Sequence, residues 1–112
     1  MAVFNGAFPI LEGRLDAARD LAAALAGVRN DEFGARHNRN GTTRETWSIQ
    51  ETPAGAFILV WFEGDIEKAF ADLATANDDF TTWFRDQIKA VTGIDMSEPA
   101  GGGPELLLDW TA

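Results

Sequence analysis

With 112 residues, 46% of them hydrophobic, the chain is one domain's worth and carries enough apolar surface to build a core. Lys and Arg number 9 against 18 Asp and Glu, a net charge of -9 that repels phosphate backbones and anionic lipid, so neither nucleic acid nor a membrane is expected as a partner. The absence of cysteine and the presence of a single histidine, His37, remove disulfide scaffolds, thiolate metal sites, cysteine nucleophiles and multi-histidine metal centres, and no metal site is expected.

The first ten residues, MAVFNGAFPI, lack a basic leader and a long apolar run, so no signal peptide is expected. No later stretch is long enough to span a bilayer, and a soluble cytoplasmic protein is the expectation. Residues 2–8 alternate as a strand, with Phe4, Gly6 and Phe8 on one face and Val3, Asn5 and Ala7 on the other. Residues 14–26, rich in alanine and leucine, form a helix with Leu15, Ala18, Leu21, Ala22 and Leu25 as its apolar stripe. A second helical piece starts near Asn30 or Asp31 and stops at Asn40-Gly41, both tolerant of the left-handed conformation.

Residues 43–52 alternate with β-favouring Thr, Trp and Ile. They are joined by the Pro/Gly turn at 52–55 to the apolar run 56–63, AFILVWFE, which predicts a hairpin. Asp65 caps a helix to about 76, and residues 77–79 restart another to about 92. In that last helix Phe80, Trp83, Phe84, Gln87, Ile88 and Val91 share one face, and Gly93 ends it. A loop at 97–105 leads to LLLDW, 106–110, which predicts a final strand.

These elements predict a single α+β domain over 1–112, a ferredoxin-like βαββαβ fold with a four-stranded antiparallel sheet and helices on one face. The third strand does not fit a sheet with one solvated face. It sets Phe57, Leu59 and Trp61 on one side and Ala56, Ile58, Val60 and Phe62 on the other, and one helical layer covers only one set. A second copy packed on the other face is the simplest cover, so a homodimer through the sheet face is expected. In element order, length and this doubly apolar strand, residues 2–110 resemble the dimeric α/β-barrel superfamily, and more loosely a small uncharacterised bacterial family within it. The resemblance implies two sheets packed face to face in a dimeric α/β barrel, with a small-molecule pocket in each subunit.

Members of that superfamily include haem-handling enzymes, cofactor-free monooxygenases and isomerases. Asn5 and Trp83 match by position an asparagine and a tryptophan of the haem-degrading members. No histidine follows Trp83 to bind iron, however, and no cofactor is expected. A cofactor-free oxygenase or isomerase needs an aromatic-lined cavity with polar groups at its oxyanion. Asn5, Trp47, Trp61 and Trp83 are the candidate ligand-binding residues, for a small aromatic ligand. Arg44 is the candidate oxyanion partner, with Asp109 or His37 as base. Asp109 interrupts an apolar strand, so it is expected either to reach water at the sheet edge or to pair with an arginine across the dimer. Ser48 and Ser97 lack a nucleophile elbow, and AGGGPE lacks the lysine of a phosphate cradle.

Against the enzyme stands a non-enzymatic ligand-binding or structural dimer module. The basic segment RHNRNG, holding Arg36, His37 and Arg39, is explained without a ligand as a helix C-terminus whose dipole favours positive charge.

Overall fold

The structure, a computed structural model, describes residues 2–98 and 103–112. Strand β1 (Ala2–Pro9) is followed by helices α1 (Leu15–Ala26) and α2 (Asn30–Asn40). The hairpin of β2 (Thr42–Thr52) and β3 (Gly55–Gly64) comes next, then helices α3 (Ile66–Thr75) and α4 (Asp79–Thr92). The sheet is antiparallel, three-stranded and ordered β1-β3-β2.

Helix ends follow local chemistry. Asp65 caps α3 by accepting from the Lys68 N–H, and Asp78 caps α4 by accepting from the Thr81 N–H. Gly41 ends α2 with φ of 82° and Gly93 ends α4 with φ of 77°, the left-handed conformation that glycine adopts without strain. Gly64 is required for a different reason. A Cβ there would collide with the Gly41 carbonyl oxygen, where the end of α2 crosses the end of β3. The ladder between β2 and β3 shifts register at the same point, between Thr42 and Arg44.

All four helices pack on one face of the sheet. Ile58, Val60 and Phe62 of β3 are buried there against Ala18, Leu21 and Leu25 of α1, Ala69 and Leu73 of α3, and Phe80, Phe84 and Val91 of α4. Phe33 of α2 closes the layer against Phe84, its ring centre 5.7 Å away and edge-on.

The expected four-stranded ferredoxin-like sheet is not the fold. Residues 106–110 form no strand, and Leu106, Leu107, Leu108 and Trp110 are 77–86% exposed. The pattern LLLDW is strand-like, but a strand exists only where an edge pairs with it, and here none does. With four helices and the order β1-β3-β2, the architecture is a three-stranded α+β layer, and a barrel built from two four-stranded sheets does not describe it.

Candidate functional site

The sheet has a second face, and its residues are fixed by register. Asn5, Trp61 and Thr46 form one row across the three strands, and Ala7, Leu59 and Ser48 form the next. Val3, Glu63 and Arg44 lie beyond one end of these rows, and Pro9, Phe57 and Gln50 beyond the other. Alternation along each strand aims all of them away from the helices. Leu59 is 38% exposed and Trp61 40% exposed, against 5–9% for Ile58, Val60 and Phe62 on the same strand.

Over this outer face runs an open groove of about 430 Å³. Asn5, Ala7, Thr46, Ser48, Leu59 and Trp61 line it, and Pro104 lies at its wall. The Trp61 indole N–H donates to the Glu63 carboxylate at 3.0 Å, which fixes the ring. The side chains of Asn5, Thr46 and Ser48 make no hydrogen bond among the described residues, so their donors and acceptors are available to a ligand. None of the lining residues is charged.

The buried face holds a polar cluster of a different kind. Arg36, 5% exposed, sits with its guanidinium over the Phe84 ring, its Nε 3.5 Å from Asp72 and one terminal amine donating to the Ala69 carbonyl at 3.4 Å. Burial lowers its pKa, and the nearby carboxylates of Glu45 and Asp72 oppose that shift. Arg39 grips Asp72 with two bonds of 2.8 and 3.0 Å, and this pairing raises its pKa. At Asp78 partial desolvation pushes the pKa up. Hydrogen bonds from the Thr81 hydroxyl and N–H, with the charge of Arg39, outweigh it and leave the carboxyl below its ordinary range.

Glu45 is half-buried with both oxygens engaged. His37 Nε2 lies 2.8 Å from one, and the Trp47 indole N–H donates to the other at 2.7 Å. An ionised carboxylate only accepts, so Nε2 carries the proton in that contact. The His37 ring also packs on Phe33 at 4.1 Å. Beneath Asn40, which is fully buried, the side-chain oxygen accepts from both the N–H and the hydroxyl of Thr42. These groups clamp α2 to α3, α4 and β2. Both Glu45 oxygens are thus engaged in this clamp.

A further cavity of about 60 Å³ lies within the core, between Phe4, Phe8, Trp47, Phe62 and Ile88, with a wholly apolar wall. It is smaller than the dry cavities of about 150 Å³ that admit a benzene ring.

The residues singled out from the sequence therefore fall in four places. Asn5 and Trp61 line the outer groove, and Arg44 lies at the end of the same face, 68% exposed and 3.9 Å from Glu63. His37 and Trp47 belong to the buried cluster on the opposite face. Trp83 is half-buried on α4 with the Arg29 guanidinium 4.2 Å over its ring. Asp109 is exposed on the 103–112 segment and has no ion pair among the described residues. Thr46 and Ser48 complete the groove and are not among the ligand-binding residues read from the sequence. Their alternation with Glu45 and Trp47 was the available signal. The burial of Arg36 was also missed, because its partner Asp72 is 36 positions away in sequence.

Among the described residues no group of three or more His, Asp or Glu is placed to hold a metal ion, and no helix is long and apolar enough to cross a membrane. Fold and site define a class: an α+β layer with one helix-covered sheet face and one open face bearing a neutral groove. Compared with known proteins, the chain matches no family model, no curated protein and no solved structure.

Proposed function

We propose that this protein is a non-catalytic binding module that works as a homodimer through the outer face of its sheet, with a small, flat, uncharged aromatic ligand held in the groove. The observation that carries this reading is the groove itself. Leu59 and Trp61 make an apolar floor, and Asn5, Thr46 and Ser48 supply unengaged polar groups around it. A neutral lining in a chain of net charge -9 favours an uncharged ligand over an anion. A second sheet over the same face would exclude water from Phe57, Leu59 and Trp61.

The cofactor-free oxygenase or isomerase is less well supported. Its three candidate catalytic residues do not meet: Arg44 lies at one end of the outer face, His37 is bound to Glu45 on the other face, and Asp109 is on the exposed segment. General acid–base work needs such groups within hydrogen-bond reach of one reacting atom.

Titration of the labelled chain with simple phenols and quinones, followed by amide and indole NMR shifts, tests the ligand reading. Shifts confined to Asn5, Thr46, Ser48, Leu59 and Trp61 are expected. No shift with any compound, or shifts centred on the core cavity around Phe8 and Ile88, would contradict it.

A further inference from the structure

Residues 103–112 leave the body of the protein beside β1. Gly103 is close to the Phe4 ring, and Pro104 lies at the wall of the groove with Asn5, Gly6 and Ala7. Beyond Pro104 every residue is exposed, including three leucines and a tryptophan. Four side chains of this size leave roughly 600 Å² of largely apolar surface in water per chain, more than a monomeric protein ordinarily exposes in one place.

The segment is patterned as a strand. Leu106, Leu108 and Trp110 fall on one face, and Glu105, Leu107, Asp109 and Thr111 on the other. Its seven residues from 105 to 111 span about 23 Å when extended, close to the length of β1.

The sheet offers a matching edge. β1 pairs with β3 alone among the described strands, so the backbone groups of alternate residues along its other edge have no strand partner there. Exposed edges are usually guarded by charged side chains, bulges or short length. β1 has no charged residue in AVFNGAFP, and its one guard is Pro9 at the end. The opposite edge, β2, carries Arg44, Glu45 and Glu51 and the register shift at Thr42.

We propose that the 105–111 segment pairs as a strand with the β1 edge of a second copy of this chain, and that the exchange of the two segments joins the homodimer. The leucine and tryptophan face would lie beside Phe4 and Phe8, which are half-buried at the rim of the core. A second copy is the favoured occupant because one symmetric contact satisfies both chains: each gives a segment and receives one. The exit of the segment over the outer face sets it on the side where that copy would sit. Two segments alone offer about 1,200 Å², the lower bound for a specific interface, before the sheet faces add to it.

This inference rests on the dimer proposed above, and the test separates the two. The full chain is studied at a concentration where it is dimeric, by amide hydrogen exchange and by isotope-filtered NOEs in a one-to-one mixture of labelled and unlabelled copies. Exchange at 105–111 is expected to slow by about 100-fold or more relative to an unstructured peptide. NOEs from Leu106, Leu108 and Trp110 to Phe4 and Phe8 are expected between copies. The double substitution Leu106→Glu and Leu108→Glu, on an exposed segment and so without consequence for the body's folding, should remove both signals and weaken dimerisation at least ten-fold. A dimer in which 105–111 exchanges at the unstructured rate would overturn the inference while leaving the sheet-face dimer standing. So would contacts confined to one copy, with the segment on its own β1. A monomer would overturn both.

Discussion

Two faces of one strand make the most instructive contrast in this molecule. On β3, Ile58, Val60 and Phe62 are buried under four helices, while Phe57, Leu59 and Trp61 lie on the face that the helices do not cover. The residue types are equally apolar, so hydrophobicity by itself does not decide which set is core. The inner set meets amphipathic helices and an ion-paired clamp. The outer set meets uncharged polar residues of β1 and β2 at its flanks. A surface that is apolar at its centre and polar at its rim has the composition of an interface or a ligand floor.

The largest separation of the two faces should come from truncation. Phe84→Ala, at a ring 2% exposed, stacked with Trp47 and Phe80 and met edge-on by Phe33, should cost about 3–5 kcal/mol in denaturant unfolding. Next comes the clamp. Asp72→Asn leaves Arg36 buried beside a neutral partner and should cost about 3 kcal/mol by the same measurement. A loss under 1 kcal/mol would mean that Arg36 reaches water and that the clamp is not part of the core.

Smaller effects sharpen the picture. Asp78→Ala removes the α4 cap and should cost about 1 kcal/mol. The pH dependence follows from the sign of its shift. A carboxyl whose folded pKa is depressed adds stability that is present above the ordinary aspartate range, near pH 4, and is lost as the pH falls through the lower folded value. Thermal melts from pH 6 to pH 2 should therefore fall more steeply for the wild type than for Asp78→Ala. Smallest in stability is Leu59→Ala on the outer face, expected within about 0.5 kcal/mol when the monomer is isolated by dilution. A monomer destabilised as much as by Phe84→Ala would erase the contrast between the faces.

Much of this was legible in the sequence. Periodicity and caps located the seven elements, Gly41 and Gly93 marked two helix ends, and alternation assigned the two faces of β3. What failed was the step from pattern to pairing. LLLDW has the alternation of a strand, but whether it pairs depends on an edge far away in sequence, which no local signal reports. The basic segment was half understood. His37 and Arg39 do lie in the last turn of α2, where the helix dipole favours them. Their partners Glu45, Asp72 and Asp78 are brought there by tertiary packing, and no spacing announces that. For the groove, alternation showed that Arg44 and Thr46 share a face. Adding Asn5, Ser48 and Trp61 to it required the strand order.

The central claim is that the outer face is an interaction surface for a second copy. Sedimentation equilibrium of the full chain at micromolar concentration tests it most directly, with Leu59→Asp as the comparison. The account predicts a species of twice the 12.2 kDa chain mass for the wild type, and a folded monomer for Leu59→Asp. A wild-type chain that sediments as a 12.2 kDa monomer throughout, or a Leu59→Asp variant that dimerises as well as the wild type, would contradict it.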